Sequence, residues 1–292
     1  MISSQPPAPP LALVLDPTVR TALGRIYGAM RSGPLDPDSV ADFGHDPAFL
    51  PSVAPLLEFL YARYFRVRML GIENIPATGP ALLVANHSGG LPYDGALLIY
   101  GVFRDHPQHR RLRTLVANFA FRSSWMAPVV ARIGGVRAAS GHAKRLLDGG
   151  ELVGVFPEGL RGVGKLYRER YRLERFGRGG FARLAIETRV PIVPVAIVGA
   201  EEIHPILAKV TRMAEPLGIP YIPITPTFPW LGPLGLLPVP TKWTIQIGEP
   251  MQVPSEAPPG SAVVQETAES VRARIDEMIS RILTQRKSVI FG

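Results

Sequence analysis

The stretch GPALLVANHSGGLPYDGALLIYGVF, residues 79–103, decides how this chain folds. GPALLVANH is a short apolar run with no polar alternation, the pattern of a strand buried on both faces. A turn rich in glycine and proline follows, and DGALLIYGVF then reads as the start of a helix. The same strand–turn–helix unit recurs outward from here. RTLVANFAF (113–121) reads as a strand and GHAKRLLDGG (141–150) as a short helix closed by glycines. ELVGVFPEG (151–159) is a strand, RGGFARLAIETR (178–189) a helix, VPIVPVAIVGA (190–200) a strand and KWTIQIGEPM (242–251) a late strand. Apolar strands alternating with helices predict an α/β sheet covered on both faces.

The flanks differ in character. Residues 1–54 form a proline-punctuated lead-in with one predicted helix around TVRTALGRIYGAM (18–30). APLLEFLYARYFRVRML (54–70) has apolar residues at helical spacing, with Arg63, Arg66 and Arg68 among them, and reads as a packed helix, the alternative being a membrane-surface helix with snorkelling arginines. The tail SAVVQETAESVRARIDEMISRILTQRK (261–287) predicts a helix whose apolar stripe is Val264, Ala268, Val271, Ile275, Met278 and Ile282. These readings divide the chain into an N-terminal helical lead-in (1–70), a central domain (71–255) and a C-terminal helix (256–292).

Composition narrows the chemistry. The 292 residues are 46% hydrophobic and 19% charged, which supports a sizeable core. No cysteine is present, so disulfides, thiolate metal sites and cysteine nucleophiles are excluded. The net charge of +8 favours an anionic partner such as a phosphorylated substrate or an anionic membrane surface. Only five of the 32 basic residues are lysine, and arginine suits bidentate phosphate contacts. Nucleic acid is not expected: no recognition module is visible, and Tyr167, Tyr171 and Phe176 are the aromatics that interleave the basic run 161–183. That run is expected to be mostly a solvated helix face. The opening residues lack the basic start of a secretory signal. Residues 216–241 are uncharged and long enough to cross a bilayer, but their recurrent prolines argue against a spanning helix. An interfacial patch, a tunnel wall or a buried irregular segment remain as readings of it.

Two polar clusters stand at predicted strand ends, where ligands sit in α/β folds. His87 closes the first strand and Asp94 follows seven positions on. A carboxylate bonded to one imidazole nitrogen fixes the tautomer and leaves the other nitrogen to act as a base. Gly89 and Gly90 permit a tight path whose amides could face an oxyanion. No Gly-x-Ser-x-Gly is present for a serine hydrolase. His106 and His109 fall in RDHPQHRRLR, which reads as a charged surface loop rather than a zinc site. The second cluster, VFPEGLRGVGK (155–165), approaches a phosphate-loop pattern. Leu166 replaces the serine or threonine that would hold magnesium, so nucleotide hydrolysis is set aside. Glu158, Gly159 and Arg161 remain as a polar turn after a strand. The simplest chemistry for these residues is base catalysis by His87 on an acceptor hydroxyl that attacks an activated acyl group.

NHSGGLPYD and VFPEGLRG, about seventy residues apart, together resemble the signature blocks of the glycerolipid acyltransferases, the family of lysophosphatidic acid acyltransferases. RIGGVRAA (132–139) and VPIVPVAI (190–197) resemble two further blocks in the right order. The resemblance implies a glycerol-3-phosphate acyltransferase-like fold: a mixed, mostly parallel sheet with helices on both faces, plus N-terminal helices and a C-terminal helix. It implies His87 and Asp94 as catalytic base and orienting acid. It implies Arg137, Glu158, Gly159 and Arg161 as substrate-binding residues, and Pro191 and Pro194 in a strand that lines the site. It further implies an acyl-CoA or acyl-carrier-protein thioester as co-substrate, no metal or other cofactor, no acyl-enzyme, and a lysophospholipid or related glycerolipid as acceptor. A neutral lipid alcohol as acceptor and a non-catalytic lipid-binding protein are the alternatives. The expected location is the cytoplasmic face of the cell membrane, peripheral or monotopic. The family usually places four residues between the histidine and the aspartate; here there are six, Ser-Gly-Gly-Leu-Pro-Tyr. The pairing of His87 with Asp94 is therefore an expectation that the longer loop must satisfy.

Overall fold

The computed structural model describes residues 16–33, 36, 38, 41–88, 93–212, 214, 221–254 and 259–292. In chain order the helices are α1 (Pro17–Met30), α2 (Phe49–Glu58), α3 (Tyr93–Asp105), α4 (Asn118–Arg122), α5 (Ala127–Ile133), α6 (Ser140–Asp148), α7 (Gly159–Val163), α8 (Gly180–Thr188) and α9 (Ser261–Gln285). The strands are β1 (Arg68–Leu70), β2 (Ala81–Ala85), β3 (Leu112–Val116), β4 (Gly135–Arg137), β5 (Leu152–Val155), β6 (Ile192–Val198), β7 (Ala208–Val210), β8 (Ile222–Ile224) and β9 (Thr244–Ile247).

Seven strands form one sheet in the order β1-β9-β6-β2-β5-β3-β4. β6, β2, β5, β3 and β4 run parallel, while β9 is antiparallel to β6 and parallel to β1. The sheet is thus mixed and mostly parallel, as expected. β7 and β8 form a separate antiparallel pair.

The period of two divides the sheet between two apolar layers. Leu82 and Val84 of β2, with Ile192, Ala196 and Val198 of β6, pack with α6, α8 and α9. Ala81, Leu83 and Ala85, with Val193, Val195 and Ile197, pack with α2 and α3 on the other face. Each central strand is buried on both sides, which is why its sequence shows no polar alternation. The predicted stripe of α9 is buried throughout, joined by Ile279.

Three predicted elements end elsewhere. The helix expected over 54–70 starts earlier, as α2, passes into a wider turn at Phe59–Tyr64 and gives way to β1. The strand expected over 113–121 stops at Val116, because the chain turns into α4. The arginine run 161–183 is not a continuous helix. Between α7 and α8 it is irregular except for one 3-10 turn at Tyr167–Glu169, and it is tied down by buried Tyr171, Leu173 and Phe176. Two of the interleaved aromatics, Tyr171 and Phe176, therefore belong to the core. Of the segment 216–241, residues 221–241 are described; they contain β8 and a 3-10 turn at Gly232–Leu236. No described helix is long and apolar enough to cross a membrane.

Candidate active site

The carboxyl ends of β2, β5 and β6 lie side by side, because the three strands are adjacent and parallel. Their outgoing loops converge there. β2 delivers Asn86, His87 and Ser88. Asn86 is fully buried and works as a side-chain rung: its Nδ2 donates to Ile197 O (2.9 Å) and its Oδ1 accepts from Ile197 N (2.7 Å). That pair prolongs the β2–β6 ladder by one step and fixes where His87 begins.

His87 Nδ1 lies 2.6 Å from Asp94 Oδ2. The six intervening residues therefore still bring the aspartate, in the first turn of α3, to the ring. Gly89 and Gly90 lie outside the described residues. Asp94 Oδ2 also accepts from Ser88 N (2.9 Å) and Ser88 Oγ (3.3 Å), and its Oδ1 accepts from Gly95 N (2.7 Å). An ionised carboxylate can only accept, so Nδ1 carries the proton and Nε2 presents a lone pair. The Asp94 side chain is fully buried, whereas that of His87 keeps 19% exposure. Nε2 has no hydrogen-bond partner among the described residues. The ring is braced by Phe156, whose centroid lies 4.6 Å away at a 35° tilt.

Glu158 is turned inward, onto protein donors. Its Oε1 accepts from His87 N (2.8 Å), and its Oε2 accepts from Glu174 N (2.8 Å) and Lys165 Nζ (3.2 Å). The residue is buried and its three donors are all protein groups, contacts that position the His87 backbone. Gly159 does not offer a free amide. Its N donates to Phe156 O (3.0 Å), and its φ of +56° makes the turn into α7. Gly162 is required by proximity: a Cβ there would meet Glu158 Cβ at 2.7 Å and His87 Cβ at 3.1 Å.

Lys165, the lysine of the phosphate-loop-like pattern, is buried between two carboxylates, at 3.2 Å from Glu158 and 2.8 Å from Glu201. Burial pushes its ammonium down, but the two carboxylates outweigh this and hold it above the usual lysine value. Two carboxylates share one ammonium, which leaves a surplus negative charge. Burial accordingly pushes the Glu201 carboxyl up to about 7, against the pull of Lys165. Beside it, Glu202 meets Arg286 at 2.6 Å, and the Tyr171 hydroxyl accepts from Gly199 N at 2.9 Å. Sequence reading missed this network of Lys165, Glu201, Glu202 and Arg286. Its one visible trace was the pair of glutamates directly after the apolar strand β6.

The arginines separate. Arg161 is exposed on α7 with no ion pair or hydrogen bond among the described residues, next to the glycine that abuts His87. Arg137 ends β4, three strands from β2 and so about 14 Å across the sheet. It pairs with Asp36 (3.2 Å) and Asp38 (3.4 Å) and lies over the Phe121 ring. The structure does not bring it to His87. The two prolines separate as well: Pro191 O accepts from Leu82 N at the start of β2, whereas Pro194 pairs in register with Val84, three residues before His87. His106 is buried rather than in a solvated loop, with Nε2 donating to Ile75 O (3.1 Å) and Nδ1 accepting from Gln108 N (3.2 Å). Among the described residues no group of three acidic or histidine side chains is placed to hold a metal.

This arrangement offers a base with an open nitrogen, an orienting carboxylate and a free guanidinium on adjacent loops. Residues 66–198 match the family model described as Acyltransferase. The chain is 45% identical over 258 residues to an uncharacterized protein of Mycobacterium tuberculosis, covering 87% of this chain and 72% of that one. It is 27% identical over 144 residues to a bovine protein named DGAT1/2-independent enzyme synthesizing storage lipids, covering 49% of this chain and 42% of that one. Among solved structures, the 1-acyl-sn-glycerophosphate acyltransferase PlsC of Thermotoga maritima superposes with a TM-score of 0.55 at 19% identity, covering 95% of this chain and 93% of that one.

Proposed function

The chain matches the Acyltransferase family over residues 66–198, and on that premise we propose that it is a glycerolipid acyltransferase that moves a fatty acyl group from a thioester to a lipid hydroxyl with His87 as general base. The observation that carries this reading is the 2.6 Å contact of His87 Nδ1 with a buried Asp94, which leaves Nε2 open at the carboxyl edge of the sheet. Nε2 takes the proton of the acceptor hydroxyl as its oxygen attacks the thioester carbonyl carbon. The tetrahedral adduct collapses, the C–S bond breaks, and the imidazolium returns the proton to the leaving sulfur. The products are an ester and a free thiol, and no acyl-enzyme forms. Asp94 holds the ring and stabilises the imidazolium. On sequence grounds the amides of Gly89 and Gly90 are assigned to the oxyanion, at about 3–4 kcal/mol per donor.

The donor is proposed to be acyl-CoA or acyl-carrier protein. The acceptor is proposed to be a lysophospholipid, whose phosphate would meet Arg161. One observation favours a neutral lipid alcohol instead: Arg137, the second expected phosphate ligand, is already paired with two carboxylates. The name of the bovine relative, an enzyme synthesizing storage lipids, points the same way. The test is thiol release from acyl-CoA against a panel of phosphorylated and neutral acceptors. The chain has no cysteine, so a thiol reagent reads only released CoA. His87→Ala is expected to lower the rate by about 10²–10⁴-fold with folding unchanged. Undiminished transfer by that variant would overturn the base assignment, and no transfer to any acceptor would favour lipid binding without catalysis.

A further inference from the structure

Between the β7–β8 pair and β9 the chain crosses the surface as PWLGPLGLL, residues 229–237. Trp230 is 77% exposed, Leu234 69%, Leu237 64% and Leu231 59%. Single exposed apolar residues are ordinary, but four within nine residues concentrate apolar surface on one short segment, as docking surfaces do. The segment is firmly held. Phe228 N donates to Thr225 Oγ1 (2.9 Å), Thr227 Oγ1 donates to Gly235 O (2.9 Å), and Leu231 N donates to Thr227 O (2.9 Å). Gly235 is buried so closely that a Cβ there would lie 2.4 Å from Thr227 O. Ordered backbone thus displays these side chains to solvent.

The patch borders the active site. Leu236 O accepts from His204 Nε2 (2.8 Å), and the His204 ring lies 6.3 Å from that of Tyr93, the residue before Asp94. On the other flank, Tyr221 OH donates to Val163 O (3.0 Å) and Lys209 Nζ donates to Gly164 O (2.6 Å). The β7–β8 pair therefore leans on α7, where Leu160 and Arg161 are exposed. From Ile203 to Thr241 the sequence carries two basic residues, Lys209 and Arg212, against one carboxylate, Glu215.

We propose that this face docks on a lipid bilayer bearing anionic headgroups, with Trp230, Leu231, Leu234 and Leu237 entering the interface and Arg161 and Arg212 meeting the headgroups. Tryptophan favours the boundary between headgroup and acyl chain, and exposed cations are drawn to an anionic surface. Docking there brings the loop that carries His87 toward the membrane, where a lipid acceptor resides. The purpose of docking rests on the acyltransferase reading, but docking itself is read without substrate.

The test is flotation of the full chain with vesicles of equimolar phosphatidylcholine and phosphatidylglycerol. The wild type is expected to float, less so at high salt. The variant Trp230→Ser, Leu234→Ser, Leu237→Ser is expected to partition about a hundredfold less. Its melting temperature and its transfer to a water-soluble short-chain acceptor should be unchanged. His87→Ala should float like the wild type, which separates loss of docking from loss of chemistry. In a Trp125→Phe background, Trp230 emission should shift blue on adding vesicles. The proposal is overturned if the triple variant floats undiminished or if the wild type does not float. It is also overturned if the wild type is a dimer that the triple variant splits, because the patch would then be covered by a second copy.

Discussion

At the scale of single residues, the site depends on how many bonds each carboxylate makes. Asp94 takes three donors besides Gly95 N, namely the His87 ring, Ser88 N and Ser88 Oγ, so it fixes both the imidazole and the backbone that follows it. Asp94→Asn keeps the size of the side chain but presents an amide that can orient the ring the wrong way round. The expected result is a fall in kcat of about 10²–10⁴-fold with little change in melting temperature, read by thiol release. Glu158 acts one step further back, through the His87 amide and the Lys165 ammonium. The motif that contains both was legible in the sequence. The division of labour was not, because a glutamate that holds a backbone amide and one that meets substrate are the same letter.

At the scale of elements, α7 shows how a glycine can position chemistry. It follows β5 and lies against His87 because Gly162 has no side chain. Gly162→Ala would raise intrinsic helix propensity by about 1 kcal/mol. The added methyl would also meet the Cβ atoms of Glu158 and His87, both on held backbone, and overpacking costs about 1–3 kcal/mol. Overpacking wins: the variant is expected to be less stable and at least about tenfold slower, since a displacement of 1 Å can cost about 10² in rate. Thermal melting and kcat read together check this, and a stable, fully active variant would show that α7 shifts freely. β6 shows the converse limit of pattern reading. Its apolar run identified a buried strand, while its register placed Pro191 before the strand, Pro194 opposite Val84, and Glu201 and Glu202 beyond its carboxyl end.

At the scale of the whole molecule, Lys165, Glu201, Glu202 and Arg286 tie the second motif loop, the end of β6 and the segment after α9 into one buried network. Glu158 shares the Lys165 ammonium with Glu201, and that extra carboxylate gives stability a pH dependence. The Glu201 carboxyl is raised from 4.5 to about 7 on folding, so its contribution is full below 4.5 and is lost as pH rises through 7. Relative to Glu201→Gln, the melting temperature of the wild type is expected to fall as pH rises from about 4.5 to 7. A parallel profile for the two proteins would mean that the network carries no surplus charge. The sequence by itself determined the alternation of buried strands and helices, the apolar stripe of α9 and the two loops that carry polar chemistry. It could do so because each depends on local periodicity or on a short contiguous motif. The tertiary structure alone decided that six residues still bring Asp94 to His87, that Lys165 is a buried counterion, that Arg137 lies strands away, and that 229–237 faces outward beside the site. Those outcomes depend on strand order and register, which place residues far apart in sequence within hydrogen-bond reach and leave no periodic mark in the chain.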